Sequence, residues 1–339
     1  MIRRAAVRVF VFCLYSALCL LPSALAGCAD REDAPTLTVY TSVDQPYARP
    51  ILDDFQKQTG IRVVLQTDTE ATKSVGLAER LRAEKANPQA DVWWGNEVFH
   101  TINLAEEGLL QPYESPAAAD IPELFKDPQH RWAGNGLRAR VIAVHSKIPS
   151  TQPFDFQHLD VLKQTRVTMA MARPTAGTTG GHVAALYVLW GDDVATQFFR
   201  SLRANDIKLL GGNAAVADAV GLGSIWVGFT DNDDVAAARR NGGSLHMVLP
   251  DQDTFGTLTI PTTVGLVAGA RHPDTAKQLI DYLLSPEVER RLIEAQFAGW
   301  SVRGGGEQPI KPMQVDYREV ARVMPEAVRR ATAILEGRE

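Results

Sequence analysis

Short polar stretches, each following an apolar run, carry the side chains able to hold a small solute. Gly177-Thr178-Thr179 leads into an apolar helical face made by Val183, Leu186, Tyr187 and Trp190. Free N–H groups and two hydroxyls at a helix start make an oxyanion site, although a threonine there also serves as a cap. Asn213 follows Gly211-Gly212 at the start of another helix and invites the same pair of readings. Thr230-Asp231-Asn232-Asp233-Asp234 follows the strand-like run Ile225–Phe229. Acids in a first turn suit the helix dipole, so this stretch reads either as a helix start or as a polar wall able to hold a cation or an amine. Thr41-Ser42-Val43-Asp44 and Gly95-Asn96-Glu97 follow two further apolar runs. In open α/β sheets ligands collect at the carboxyl ends of strands, and that is where all these stretches fall.

The elements that must position them alternate. Strands are predicted at Leu37–Thr41, Ile61–Leu65, Asp91–Trp94, Val141–His145, Val167–Ala170, Ile207–Leu210, Ile225–Thr230, Leu245–Leu249 and Val264–Ala268. Helices are predicted at Ile51–Thr59, closed by Gly60, then near Val75–Lys85, Phe99–Glu107, Pro273–Leu284, Pro286–Gln296 and Tyr317–Leu335. In the last, Val320, Val323, Met324, Ala327 and Ala331 make the buried stripe. Strand–helix alternation predicts an α/β fold whose mainly parallel sheets carry helices on both faces. There is no internal repeat, and no long Pro/Gly/Ser linker divides the chain, so two lobes require the chain to cross between them.

The first residues decide the compartment. Arg3, Arg4 and Arg8 precede an apolar run from Val9 to Leu21, and Leu25-Ala26-Gly27-Cys28 follows. This is an export signal, residues 1–27, removed in the mature protein. Leu-Ala-Gly-Cys reads as the lipobox of a bacterial lipoprotein, so Cys28 is the expected lipidation site, and firm anchoring takes more than one acyl chain. Cys13 and Cys19 leave with the signal, so no disulfide is available and the core alone must hold the fold. Residues 28–35 read as a tether. The net charge of −5 includes three signal arginines; the mature chain is therefore more acidic, and nothing favours nucleic acid.

The order of motifs resembles a known family. Val39-Tyr40-Thr41-Ser42, Gly60-Ile61-Arg62-Val63, Asn87-Pro88-Gln89-Ala90-Asp91-Val92-Trp93-Trp94 and Gly108-Leu109-Leu110-Gln111-Pro112-Tyr113 come first. Arg138-Ala139-Arg140-Val141-Ile142, Arg173-Pro174, Gly177-Thr178-Thr179, Gly212-Asn213-Ala214-Ala215-Val216 and Leu283-Leu284-Ser285-Pro286-Glu287 follow. Together they resemble the periplasmic ferric-iron-binding family of ABC-transporter solute-binding proteins over essentially the whole mature chain. The resemblance implies a two-lobed periplasmic-binding-protein fold of type II, hinge-linked, with the ligand in the cleft. Lobe 1 is then 36–136 with 260–302, and lobe 2 is 137–259 with 303–339. The crossings fall near Gly136–Arg140 and Thr257–Thr262, and closure is a hinge motion.

The resemblance also implies a ligand set. Anion contacts belong at Gly177, Thr178 and Thr179, with Thr41, Ser42, Asn96, Glu97, Asn213 and Thr230 around the cleft. The family's adjacent tyrosines are replaced within Asp231–Asp234, and Asp44 sits near the place of its histidine. Asp44, Asp231 and Asp233 are thus the candidate metal ligands, since carboxylate oxygens suit hard Fe³⁺. Fe³⁺ enters as transported ligand rather than as cofactor. A small organic anion or zwitterion such as an aminoalkylphosphonate, or a polyamine, is the alternative; its oxyanion takes the threonines and its ammonium takes the aspartates. His182 reads as structural, one of Trp93 and Trp94 as core, and Tyr40 as a candidate cleft residue.

Catalysis has no support here. The sequence shows no nucleophile elbow, P-loop, dinucleotide fingerprint or His/Cys cluster with metal spacing. The expected protein is a monomeric, lipid-anchored periplasmic receptor that hands a small ligand to ABC permease subunits. A ligand-sensing module of a signalling system is the rival from another class.

Overall fold

A computed structural model describes residues 35–68, 74–148, 167–175, 177–306 and 308–339. The expected export signal, the expected lipidation site Cys28 and the expected tether up to residue 34 lie outside these residues.

Alternation builds the first half as predicted in kind. It contains β1 (Thr36–Thr41), α1 (Gln45–Thr59), β2 (Arg62–Thr67), α2 (Val75–Ala83), β3 (Val92–Gly95), α3 (Val98–Glu106) and the short β4 (Leu110–Gln111). β1 pairs in parallel with both β2 and β3. Gly60 ends α1 at φ 73°, a left-handed cap that glycine adopts without steric penalty. α1 begins at Gln45 rather than Ile51, because proline at its start sits where a backbone N–H would have no partner anyway.

β5 (Ala133–His145) is the spine, and every one of its residues is buried. The sequence predicts only its last third, because Arg138 and Arg140 interrupt the apolar pattern. The early part of β5 pairs with β10 (Thr259–Val267), and the later part with β8 (Val227–Asp231) and β9 (Leu245–Val248), all antiparallel. The change of partner from β10 to β8 falls between Ala139 and Arg140.

Beyond β5 lie β6 (Met169–Ala172), α4 (Gly177–Ala204), β7 (Lys208–Leu210), α5 (Asn213–Gly221) and α6 (Asn232–Arg240). After β10 come α7 (Pro273–Leu283), α8 (Pro286–Glu294) and α9 (Tyr317–Glu336). β6 runs parallel to β7 and β8. The strand order β2-β1-β3-β10-β5-β8-β6-β7 is therefore parallel at both flanks and antiparallel through the middle. Each flank, covered by its helices, is the floor of one lobe, and β5 belongs to both.

α9 carries the predicted stripe, with Val320, Met324, Ala327 and Ala331 buried. It packs against α4 of the second lobe and α3 of the first. Its first residue, Tyr317, donates to the carbonyl of Thr259 at 2.8 Å, tying the helix to the start of β10. Trp93 and Trp94 are both fully buried, so the pair is core rather than half core. Among the described residues no helix is long and apolar enough to cross a membrane.

Candidate functional site

β8 ends at Asp231, and α6 begins on the next residue. α4 begins at Gly177, where φ is +59°, and α5 begins at Asn213. Three chain segments thus present a strand end and two helix starts to one place. First-turn N–H groups have no intrahelical acceptor, so both helices offer donors there. The cavity they enclose is also lined by Asn96, Arg138, Arg173 and Asp234, and its volume is about 30 Å³. That is room for one or two water molecules.

The side chains form one network around Asp231. Thr178 Oγ1 donates to Asp231 Oδ2 at 2.5 Å, and Asn213 Nδ2 donates to the same oxygen at 3.1 Å. Thr179 Oγ1 donates to Asn213 Oδ1 at 2.9 Å. Thr230 Oγ1 donates to the carbonyl of Asn213 at 2.8 Å and to Asp234 at 3.2 Å. Sequence reasoning therefore named a group that the fold does bring together: Gly177, Thr178, Thr179, Asn213, Thr230 and Asp231.

It missed the residues that dominate the electrostatics. Arg140 Nη1 lies 2.7 Å from Asp231 Oδ1 and also donates to Asn213 Oδ1 at 3.1 Å. Arg138 Nη2 reaches Asp231 Oδ2 at 3.0 Å and both oxygens of Asp233, at 2.6 and 2.8 Å. Both arginines are buried, at 2 % and 1 % exposure. Burial works against the charge on Arg138, but Asp233 and Asp231 hold it protonated. Burial would likewise raise the Asp231 carboxyl; the Arg140 and Arg138 guanidiniums and the Thr178 hydroxyl overcome this and keep it below the ordinary carboxylate range. A signal for them was present: two arginines at a spacing of two inside an apolar strand share a face, and charges buried there must be paired.

The remaining expected residues take other places. Glu97 is wholly buried and caps α3, accepting from Phe99 N at 2.6 Å and from His100 Nδ1 at 2.9 Å. Thr41 Oγ1 donates to the carbonyl of Trp94 at 2.7 Å, so it fastens β1 to β3. Ser42 and Asn96 bond each other, Oγ to Oδ1 at 3.0 Å and N to Oγ at 2.9 Å. Only Asn96 of these four lines the cavity; its carbonyl accepts from Arg138 Nη1 at 3.4 Å, a link between the lobes.

The expected metal set changes membership. Among the described residues, the three acidic side chains whose oxygens come together within 4.8 Å are Asp231, Asp233 and Asp234. Asp44 is outside that group, because it stands at the N-cap of α1, where its carbonyl accepts from Tyr47 N and Ala48 N. Tyr40 faces away from the cleft. Its hydroxyl bonds Glu84 at 2.9 Å, and burial followed by that carboxylate pushes its pKa up to about 12. His182 is buried beneath the network, and desolvation, then Arg140, holds its pKa well below 6.5.

Comparison with known proteins gives this geometry a context. Residues 36–297 match the family described as bacterial extracellular solute-binding protein. An uncharacterised protein of Haemophilus influenzae is 28% identical over 280 residues, 79% of this chain and 78% of that one. A periplasmic protein of Salmonella paratyphi A, provisionally named for 2-aminoethylphosphonate binding, is 27% identical over 297 residues, 87% of this chain and 81% of that one. Among solved structures, the apo ferric ion-binding protein A of Pasteurella haemolytica aligns with a TM-score of 0.78 at 20% identity, covering 89% of this chain and 98% of that one. At that identity the likeness shows the two-lobed fold. The family, the Salmonella relative and the Pasteurella structure are named for binding, none for an enzyme activity.

Proposed function

Because the chain belongs to the bacterial extracellular solute-binding protein family, we propose that it is the lipid-anchored periplasmic receptor of an ABC importer for a small organophosphorus oxyanion, a phosphonate or phosphate monoester. The observation that carries this reading is the convergence of two helix starts, at Gly177 and Asn213, and the buried guanidinium of Arg138 on one cavity, with Arg140 bonded behind it to the cavity-lining Asn213 and Asp231. Helix N-termini attract phosphate-like groups. Arginine meets such groups with paired hydrogen bonds. The Salmonella relative named for 2-aminoethylphosphonate supports the same ligand class, and an amine on the solute finds Asp234 on the cavity wall. The cavity is too small for such a solute, so loading takes place with the lobes apart and their closure encloses it. Delivery is to permease subunits, as for other members of the family.

A second reading follows from one further observation. The oxygens of Asp231, Asp233 and Asp234 lie within 4.8 Å of one another, and a hard cation such as Fe³⁺ suits oxygen donors. Against it, two of these carboxylates already neutralise buried arginines, whose charge opposes a trivalent ion. Tyr40 and Tyr47 do not supply phenolates, since each is engaged elsewhere, with Glu84 and Arg240.

A thermal-shift and calorimetric screen of the mature chain separates the readings, since a binder of the folded state raises its apparent stability. The panel is 2-aminoethylphosphonate, glycerol 3-phosphate, inorganic phosphate, Fe³⁺ with citrate, and spermidine. The expected result is a melting rise with an organophosphorus compound and none with Fe³⁺ or spermidine. A rise confined to Fe³⁺ overturns the first reading in favour of the second.

A further inference from the structure

We propose that Asp231 is a resident counter-anion: its carboxylate holds the oxyanion position of the empty receptor, and the incoming solute takes that position by exchange. This rests on the organophosphorus reading above. Donors from three separate elements aim at the one carboxylate. Arg140 Nη1 reaches Oδ1 at 2.7 Å. Arg138 Nη2, Thr178 Oγ1 and Asn213 Nδ2 reach Oδ2 at 3.0, 2.5 and 3.1 Å. Two guanidiniums, a hydroxyl and a carboxamide set between two helix starts are the donors a tetrahedral oxyanion requires. Here a side chain of the same molecule accepts them.

The arginines differ in what remains if Asp231 turns away. Arg138 keeps Asp233, which it holds with three bonds of 2.6 to 3.1 Å. Among the described residues, Asp231 is the one carboxylate within ion-pair distance of Arg140. Arg140 is 1 % exposed, and its Nε has no hydrogen-bond acceptor. A buried guanidinium cannot stay uncompensated, so Arg140 is either matched by Asp231 or matched by the solute. Exchange keeps Arg140 paired, but it leaves the Asp231 carboxylate in need of a positive charge of its own. The freed carboxylate then stands beside the bound oxyanion, able to meet an amine on the same solute. The class selected is therefore an aminoalkyl phosphonate or phosphate, rather than an anion without a cationic group.

Methylphosphonate, which has no amine, tests this by calorimetry on the full mature chain. Asp231→Asn removes the competing anion and is expected to bind methylphosphonate at least tenfold more tightly than wild type. Its preference for 2-aminoethylphosphonate over methylphosphonate should shrink by a similar factor. Methylphosphonate should also raise the melting temperature of the variant more than that of wild type, because it re-pairs Arg140. If Asp231→Asn is too unstable to purify, Asp231→Ser, whose hydroxyl suits the N-cap position of α6, carries the same expectation. Equal or weaker methylphosphonate binding by the variant, with wild type still binding 2-aminoethylphosphonate, overturns the exchange and leaves the ligand class standing. Absence of any oxyanion binding in both proteins overturns the ligand class itself.

Discussion

A Cβ placed on Gly181 would stand 2.1 Å from Cε2 of Phe99 and 2.3 Å from its Cδ2. Gly181 lies in the early part of α4, and Phe99 in the first turn of α3. The ring also meets Tyr317 of α9 edge-on, with centroids 6.0 Å apart. Helices from both lobes and the last helix of the chain thus close on one aromatic side chain, and only glycine leaves room for it.

Gly181→Val should separate α3 from α4. Overpacking of this kind costs about 1–3 kcal/mol, read as a lower urea midpoint. Because both helices start at cavity-lining loops, solute affinity should fall as well. An unchanged midpoint with unchanged affinity would show that the two helices part freely.

Thr178→Val with Thr179→Val should abolish the melting shift produced by the solute. Thr178 is 2 % exposed and Thr179 1 %, and both hydroxyls sit within the network around Asp231 and Asn213. Each buried group left unsatisfied costs about 1–3 kcal/mol, so the double variant should also melt lower in the absence of solute. A solute shift as large as that of wild type removes this loop from the site.

Arg138→Met should destabilise the protein by about 3–5 kcal/mol, because Asp231 and Asp233 lose a shared counter-charge in the interior. Adding Asp233→Asn should recover part of that loss in a urea titration. A loss below about 1 kcal/mol, the range of exposed pairs, would mean that water reaches these carboxylates.

Acid should weaken the fold in two windows. The buried His182 is neutral when folded, its pKa pushed well below the ordinary 6.5 by desolvation and then by Arg140. The unfolded chain takes up a proton near pH 6.5 that the folded chain refuses, so stability falls as pH drops from about 6.5 towards the depressed folded value. Asp231, whose folded pKa is also depressed, stabilises above the ordinary carboxylate value of about 3.9 and loses that contribution as pH falls through its folded value. His182→Gln should reduce the fall of the urea midpoint between pH 6.5 and 5, leaving the part due to His246, also depressed by burial and then by Arg239, and the loss below pH 4. A midpoint in the variant that falls as steeply as that of wild type across the upper window would assign that slope to other groups.

Cys28→Ser should move the protein from the membrane pellet to the soluble periplasmic fraction and abolish incorporation of labelled palmitate. Retention of label in the variant would place the acyl chains elsewhere.

Much of this protein is written locally. Periodicity and glycine placement are properties of a few neighbouring residues, so β1, β3, α3 and α9 were legible within a residue or two. The Gly177-Thr178-Thr179 and Asp231–Asp234 stretches were legible as strand-end polar loops for the same reason. The long β5 was not, because two arginines in an apolar strand mimic an interruption until their partners are known.

Those partners were the decision of the tertiary structure. Arg140 stands directly opposite Asp231 in the antiparallel register of β5 and β8, a pairing across 91 residues. The sequence by itself determined the α/β alternation and which loops are polar, because each depends on short-range sterics, helix dipoles and hydrophobic spacing. Whether an aspartate in those loops meets a solute or a guanidinium depends on which strands lie side by side and in what register. That is set by the cooperative packing of the whole sheet, and no local pattern encodes it.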